Sequence, residues 1–412
     1  MVRPFSIVLI LASTALWGAD KPTYSQDVAP ILDRSCVECH RKGEVAPMAF
    51  TTYTEVRPWA RAIREATTSR KMPPWLADPH YGKFQNDRRL TDKDVATITA
   101  WVNAGAPEGN PKLRGEAPQY SEGWNIGKPD VIIDIGKDFD VPATGVVAYK
   151  YFNVPTHFTE DKWIEAAEVR PDKRSAIHHV IVFVKEPDGK PGDFNDGGDL
   201  LVGFAPGEQP LTFEKGTAKL VRAGSTLNFQ LHYTPNGTAQ KDRTYIGLRF
   251  AKEPPTNRAA TGRALNGMFR IPAGASAHEV KSSWTFKQDV TLRNLMPHMH
   301  LRGKDFKYTL VYPDGREEVL LSVPKYDFNW QLAYELAQPI LVPKGARLDC
   351  IAHFDNSPNN KYNPDPTKEV RWGDQTYEEM MIGWFHFTVP SAPYLVSQDK
   401  VSLSADVADA RR

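Results

Sequence analysis

The pattern of apolar and polar residues changes once along the chain, from helical periodicity near the start to strand-like segments later. Val95, Ile98 and Trp101 recur on one helical face, and Thr91 stands before them as a capping residue. A second amphipathic helix is predicted over residues 55–69. These features predict a small all-α domain at the N-terminal end.

Beyond residue 130, short segments rich in β-branched and aromatic residues alternate with Pro, Gly and Asn. Phe306, Tyr308 and Leu310 alternate with less apolar neighbours, as in a strand with one buried face. The predicted strands include residues 131–135, 177–184, 226–233, 244–250, 306–312 and 380–389. This number of short strands exceeds one sandwich and predicts an all-β module of two antiparallel, jelly-roll-like β-sandwiches.

The predicted division of the chain follows these changes in pattern. A basic residue, a short apolar run and small residues at the start are typical of a secretory signal, with an uncleaved anchor as the alternative. The predicted parts are 1–19 secretory signal, 20–109 helical domain, 110–129 linker, 130–258 first sandwich, 259–395 second sandwich and 396–412 C-terminal tail.

Net charge, apolar segments and cysteine count exclude several classes of protein. The formal net charge of +1 gives no reason to expect nucleic acid as a partner. No later segment approaches the ~20 apolar residues of a membrane span, so none is expected in the mature chain. The expected location is the periplasm or another exported compartment. With only three cysteines, two of them in one pentapeptide, the chain is not a disulfide scaffold.

That pentapeptide, residues 36–40, has the C-x-x-C-H pattern. Two thiols at this spacing attach haem covalently, and the following imidazole ligates the iron. Cys36, Cys39 and His40 therefore predict one covalent haem c, with a structural or redox C-x-x-C as the alternative.

Two methionines are candidates for the second axial ligand of the haem iron. Met72 precedes two prolines that fix the backbone, whereas Met48 lies only eight residues beyond His40. We predict Met72 as the ligand; the alternative is that it only packs on the haem edge. The order of helices, C-x-x-C-H and methionine loop resembles the class I cytochrome c family, and implies a cytochrome c domain.

Five histidines in the β region form two groups. His298 and His300 would share one face of a strand and can share one metal ion. His178 and His179 are adjacent, so they can bind one ion with His232 only where the strand twists or bulges.

Met380 is the candidate that completes the second group. A thioether favours copper(I), while imidazole suits both oxidation states of copper. From residue types alone, core or surface roles for these side chains remain open.

Residues 165–390 resemble the copper type II, ascorbate-dependent monooxygenases, the family of the peptidylglycine α-hydroxylating and dopamine β-monooxygenases. The resemblance rests on a His-His pair with a later histidine, followed by a His-x-His with a later methionine. It implies two copper ions. The electron-storing copper is assigned to His178, His179 and His232, and the catalytic, oxygen-binding copper to His298, His300 and Met380.

Three departures from that family concern the substrate. Met296 replaces an arginine that anchors a peptide carboxylate, and Ile382 and Trp384 replace the polar residues that assist it. A glycine-extended peptide is therefore not expected, and a more apolar, aromatic pocket is.

Together these features predict a periplasmic oxidoreductase that hydroxylates a C–H bond of a small organic substrate with O2. The haem would pass electrons from an upstream periplasmic donor to the two coppers, at the high effective concentration of a tethered carrier. The alternative is a non-catalytic electron-transfer or copper-binding protein.

Overall fold

The computed structural model describes four stretches of the chain, which exclude the predicted secretory signal and C-terminal tail. They are residues 21–119, 123–187, 199–205 and 207–391. Within these stretches, no helix is long and apolar enough to cross a membrane.

The N-terminal part contains four short α-helices. They are α1 (Ala29–Ser35), α2 (Tyr53–Val56), α3 (Ala60–Thr68) and α4 (Asp92–Asn103). Thr91 caps α4 as predicted, since its hydroxyl accepts the Asp94 N–H and the Asp94 carboxylate accepts the Thr91 N–H. The helices pack around the fully buried Leu32, Ile98 and Trp101.

The remainder of the described chain is built from short strands. The first half contains β1 (Val131–Asp134), β2 (Phe139–Val141), β3 (Lys150–Pro155), β4 (Lys162–Pro171), β5 (Ile177–Lys185), β6 (Asp199–Phe204), β7 (Leu211–Thr212), β8 (Thr217–Val221), β9 (Thr226–Tyr233), β10 (Gln240–Asp242) and β11 (Thr244–Phe250). The second half contains β12 (Asn257–Leu265), β13 (Arg270–Ile271), β14 (His278–Thr285), β15 (Val290–His298), β16 (Gly303–Val311), β17 (Glu317–Val323), β18 (Tyr334–Val342), β19 (Arg347–Phe354), β20 (Val370–Arg371) and β21 (Ile382–Pro390).

These strands form two layered bodies, consistent with the predicted β-sandwiches. In the first, strands in the order β1-β11-β4-β8 enclose one hydrophobic core with the sheet β3-β9-β5-β6. In the second, β12-β21-β15-β18 enclose another with β14-β19-β16-β17. A two-residue parallel pairing of β8 with β12 joins the bodies into one continuous sheet, and the predicted boundary at residues 258 and 259 lies inside β12.

The two sandwiches also meet through side chains on their outer faces. Phe183 on β5 and Leu200 on β6 pack against Met380, Ile382 and Trp384, at and just before β21. On β5 the neighbouring Val182 and Val184 point into the first core instead, as strand alternation requires. This apolar cluster fixes the position of one sandwich against the other.

The predicted small all-α domain is wrong. Among the described helices only α4, with 12 residues, exceeds ten residues, and the chain is predominantly β. Residues 75–86, between α3 and α4, leave the helices and pack on the second sandwich. There Trp75 and Phe84 contact Tyr334, at ring-centroid distances of 5.0 and 5.5 Å.

This segment, which we call the strap (residues 75–86), is also held by backbone hydrogen bonds. The Asp78 N–H donates to the Ser322 carbonyl at 2.8 Å, and the Gln85 N–H to the Glu335 carbonyl at 2.9 Å. The N-terminal part is not self-contained, because the large apolar side chains of the strap are buried only against the β body.

Phe84→Ala is expected to lower the free energy of unfolding by about 3–5 kcal/mol, because it leaves a cavity beside Trp75 and Tyr334. Urea unfolding followed by tryptophan fluorescence measures the change. Tyr81→Ala is the control: Tyr81 lies in the same segment but is 41% exposed, and its removal should cost less than about 0.5 kcal/mol. Equal effects of the two substitutions would contradict the role of the strap.

Candidate functional site

The first histidine cluster lies where β5 and β9 pair. The register of β5 against β9 shifts between Ile177 and His179, and His179 stands directly opposite His232. This irregularity is the bulge that the adjacent histidines require, and it brings His178 to the same side. The three ring centroids are 5.1 to 5.4 Å apart.

The ring nitrogens of this cluster are suited to one metal ion. One nitrogen from each ring lies within 4.8 Å of the others. The two Nδ1 atoms of His178 and His179 are 3.1 Å apart, a separation that suits two ligands each roughly 2 Å from one ion. Among the described residues, Nε2 of His178, Nε2 of His179 and Nδ1 of His232 are buried without a hydrogen-bond partner.

The imidazoles of this cluster are held neutral. Burial lowers the pKa of His178 to about 4 and that of His232 to about 3. Metal binding requires a neutral imidazole, so no proton competes for these nitrogens near neutral pH.

The second histidine cluster forms at the end of β15. His298 and His300 have ring centroids 5.3 Å apart. Nδ1 of His298 donates to Oε1 of Gln331 at 2.6 Å, and Nδ1 of His300 donates to the Glu378 carbonyl at 3.2 Å. The Gln331 amide is itself oriented, because its Nε2 donates to the Phe328 carbonyl. Both histidines therefore have Nε2 free as a ligand atom.

Met380 directly follows Glu379, whose carboxylate contacts the backbone of the second cluster. The carboxylate of the buried Glu379 accepts the backbone N–H of His300 at 2.9 Å and that of Arg302 at 2.6 Å. The Arg302 guanidinium lies 3.8 Å from the same carboxylate. Met380 is 2% exposed, in the apolar cluster between the sandwiches. Glu379 thus ties this part of the chain to the second cluster, while the Met380 side chain itself packs in the apolar cluster, and its role as a metal ligand stays a prediction.

Phe328 lies between the two clusters. Its ring stacks on His178 at 4.6 Å and 9°, and meets His300 edge-on at 6.1 Å. The charge of His298 also contributes to the lowered pKa of His178, which follows from their proximity. The structure therefore brings all five histidines into one region, in which the ring of Phe328 separates the two clusters.

A cavity of about 750 Å³ opens beside the clusters, between the sandwiches. His179 and His298 both line it, as do Met296 and Trp384, two of the positions where the sequence departs from the peptide-hydroxylating pattern. This volume is in the range of a site for a small molecule.

The C-x-x-C-H segment follows α1 directly and folds as a turn. The Cys39 and His40 N–H groups donate to the Cys36 carbonyl, at 3.2 and 2.9 Å. The His40 ring stacks on Phe50 at 4.3 Å, and its Nδ1 donates to the Met48 carbonyl at 3.2 Å. Nε2 is thereby left for an axial metal bond, and the residues fit a covalent haem.

The pKa values of the Cys36 and Cys39 thiols test the alternative that this segment is a redox-active C-x-x-C motif. Burial raises the pKa of Cys36 to about 12 and also raises that of Cys39. A thiol–disulfide exchange motif needs a lowered thiol pKa, so the burial disfavours a redox C-x-x-C.

The two candidate methionines are placed differently. Met48 and Cys36 each pack against the N-terminal hydrophobic cluster, whereas Met72 is half-buried and not part of that cluster. The Met72 N–H donates to the Ala66 carbonyl at the end of α3, just before the strap. Met72 as an axial ligand stays a prediction.

Phe328, Gln331 and Glu379 are the site residues that the sequence analysis missed. Gln331 is 33 residues from His298, and Glu379 is 79 residues from His300. Only Glu379 had a local signal, namely its position directly before the predicted Met380.

No family model and no curated protein matches this chain. Similar solved structures include the major capsid protein P2 from bacteriophage PM2, with a TM-score of 0.31 and 10% identity over 64% of this chain and 98% of that one. They also include infectious bursal disease virus Gx strain, with a TM-score of 0.20 and 8% identity over 65% of this chain and 72% of that one. The tandem CBM22 domain of Paenibacillus barcinonensis Xyn10C has a TM-score of 0.15 and 11% identity over 63% of this chain and 93% of that one. Scores this low carry no argument about function.

These findings correct the two family resemblances. The chain matches no family model and no curated protein, and the predicted all-α domain is replaced by short helices on a β-rich body. The chain is therefore assigned to neither family, and its distinguishing feature is the geometry of the histidine clusters.

Glu379→Ala is expected to lower the free energy of unfolding by about 3–5 kcal/mol, because it leaves the buried Arg302 guanidinium without its carboxylate. Chemical denaturation measures the loss. Glu369→Ala is the control, since Glu369 is exposed and forms only surface ion pairs that contribute about 0–1 kcal/mol. A loss under 1 kcal/mol for Glu379→Ala would contradict the network.

His386, which lines the cavity, should make stability depend on pH. Burial lowers its pKa to about 3, with a smaller contribution from Lys219. The Asn294 amide donates to Nδ1 and so opposes protonation there. An unfolded histidine titrates near pH 6.5, so the contribution of His386 is complete above that pH and falls as the pH drops towards 3.

The expected loss from His386 is about 2 kcal/mol between pH 6.5 and 4.5. Thermal and urea unfolding across this range should show a shallower decline for His386→Gln than for the unaltered chain. His157→Gln serves as the control at an exposed position. Parallel declines of all three proteins would refute the assignment.

Proposed function

We propose that this protein is an exported oxidoreductase that binds two copper ions and one covalent haem c and hydroxylates a C–H bond of a small organic substrate with O2. One observation carries the proposal. Two buried clusters of neutral imidazoles lie on either side of Phe328, and both border the same cavity.

The residues that would hold the metals follow from the free ring nitrogens. One ion would be held by His178, His179 and His232. The second would be held by Nε2 of His298 and His300 together with the Met380 thioether, a soft ligand that favours copper over zinc or iron. When bound, copper supplies one-electron redox chemistry towards O2, and haem supplies a one-electron relay.

The protein's own side chains orient the histidine rings, exclude water and position the substrate. Gln331 and the Glu378 carbonyl keep the second-cluster imidazoles in the tautomer that presents Nε2. Phe328 fills the space between the clusters and keeps water from it. Met296 and Trp384 offer an apolar surface for the hydrocarbon part of a substrate.

The overall reaction needs electrons from outside. Conversion of R–H, O2, two electrons and two protons gives R–OH and water. The C-x-x-C-H segment contacts the first sandwich, where Glu44 pairs with Arg174 and Glu38 with Gln209. Arg174 lies just before β5, the strand that carries His178 and His179, so Cys36 and Cys39, which would hold the haem, belong to a segment that packs on the sandwich of the first cluster.

The purified protein is expected to contain one thioether-linked haem and two coppers per chain, by pyridine haemochrome spectrum and elemental analysis. The double substitution His179→Ala and His232→Ala should remove one copper and leave the other. His157→Ala, at an exposed position, should remove none. A haem-containing protein with well under two coppers would refute the proposal and favour the copper-binding or electron-transfer alternative.

Met380→Ile should abolish substrate-dependent O2 consumption while leaving the copper of the first cluster in place. Met381→Ile is a matched control, because Met381 is also fully buried but packs in the core of the second sandwich. Replacing one apolar side chain by another of similar volume usually costs under about 1.5 kcal/mol, so both variants should fold. An oxygen electrode and copper analysis compare them, and unchanged O2 consumption in Met380→Ile would show the ligand assignment to be wrong.

A further inference from the structure

The loop between β17 and β18, which we call the bridging loop (residues 324–333), contacts both histidine clusters. It carries Phe328, whose ring stacks on His178 of the first cluster. It also carries Gln331, whose Oε1 accepts the hydrogen bond from Nδ1 of His298 in the second cluster. The placement of this one loop therefore affects a ring in each cluster.

A third residue of the bridging loop holds the backbone between the two histidines of the second cluster. The Tyr326 hydroxyl donates to the Met299 carbonyl at 2.8 Å, and the Met299 N–H donates to the same hydroxyl oxygen at 3.0 Å. Both residues are buried in the core of the second sandwich. The bridging loop thus fixes the backbone of the second cluster as well as the orientation of one of its rings.

The strap holds the bridging loop at both ends. At the β17 end, the Asp78 N–H donates to the Ser322 carbonyl at 2.8 Å. At the β18 end, the side chain of Asn86, the last residue of the strap, makes two hydrogen bonds. Its Nδ2 donates to the Ala333 carbonyl at 2.9 Å, and its Oδ1 accepts the Glu335 N–H at 3.1 Å. Both ends of the loop are therefore attached to the N-terminal part.

The Asn86 amide is bound to the chain only two residues from Gln331. No residue of the bridging loop, which the structure describes in full, belongs to a helix or strand, so the loop lacks a ladder of its own to order it. An amide engaged at both its donor and its acceptor restrains direction as well as distance. Loss of the Asn86 side chain would leave the Ala333 carbonyl and the Glu335 N–H without this restraint.

We infer that Asn86 is a positioning residue for the second histidine cluster. Through the bridging loop it keeps Gln331 where the Gln331 amide fixes the Nδ1–H tautomer of His298, which leaves Nε2 as the ligand atom. The N-terminal part thereby contributes to a site on the second sandwich. This inference rests on the proposed function, because it concerns a ligand of the second copper, but the effect on His298 is present in the metal-free protein.

The first test compares the tautomer of His298 in the full-length, metal-free protein and in Asn86→Ala. Both proteins are labelled with nitrogen-15 at histidine and studied by proton–nitrogen correlation NMR at neutral pH, and the His298 signals are assigned by their absence in His298→Gln. The unaltered protein should show the Nδ1–H tautomer alone. Asn86→Ala should show a mixture with the Nε2–H tautomer, whereas the signals of His179 and His232 should not change.

The second test measures the affinity of the second cluster for Cu(I) by competition with a chromophoric chelator. It uses the His179→Ala and His232→Ala background, which leaves the second cluster to bind copper. Asn86→Ala should weaken Cu(I) binding roughly tenfold or more, as the loss of a group that orients a ligand does in other metal sites. Because Asn86 acts through Gln331, adding Asn86→Ala to Gln331→Ala should cause no further loss.

Asn103→Ala is the matched control. Asn103 lies on α4 in the same N-terminal part, and its Oδ1 accepts a hydrogen bond from Arg64 on α3 at 2.8 Å. This substitution removes an asparagine contact within the N-terminal helices and should change neither the tautomer of His298 nor the Cu(I) affinity.

An unchanged His298 tautomer in Asn86→Ala would overturn the inference, as would additive losses of Cu(I) affinity in the variant that combines Asn86→Ala with Gln331→Ala. Equal changes in the Asn103→Ala control would also overturn it, because they would show a general loss of structure. A shifted tautomer in a protein whose second cluster binds no copper would refute the proposed function while leaving the role of Asn86 supported.

Discussion

The contact between the outer faces of the two sandwiches is the constraint on which the site depends. Phe183 and Leu200 from the first sandwich bury Met380, Ile382 and Trp384 from the second. At roughly 25 cal/mol per Å² of buried apolar surface, a cluster of this kind contributes several kcal/mol to the association of the sandwiches. Without it, the histidines of β5 and β9 would not face those at the end of β15.

That contact also explains why the histidines are neutral. Between two apolar sandwich faces, an imidazolium would lose its hydration with few carboxylates nearby to compensate. The cost of burying five imidazoles is reduced where Gln331 and the Glu378 carbonyl accept ring protons. The buried ring nitrogens that have no hydrogen-bond partner still carry a desolvation cost, and a bound metal ion would remove it.

The sequence predicted local features well and long-range contacts poorly. The cap at Thr91, the strands over residues 226–233 and 244–250, and the need for a bulge at His178 all follow from rules that act over a few residues. The all-α domain failed because helix periodicity says nothing about where Trp75 and Phe84 are buried.

In the candidate site, too, the sequence predicts local features but not long-range contacts. His298 and His300 lie close together, as their spacing in the sequence predicts, although β15 ends at His298 and His300 lies just beyond the strand. The positions of Phe328 and Gln331 depend on how a loop folds back across the sandwich, and the facing of the two histidine clusters depends on how the two sandwiches meet. No local pattern encodes either arrangement.

The N-terminal part is tied to both sandwiches, and this bears on how the proposed relay would work. Glu44 and Glu38 hold the C-x-x-C-H segment against the first sandwich, while the strap holds the same part of the chain against the second. A tethered carrier that diffused freely would need neither attachment. Because both are present, the distance from Cys39 to the first histidine cluster is set by packed structure rather than by the length of a linker.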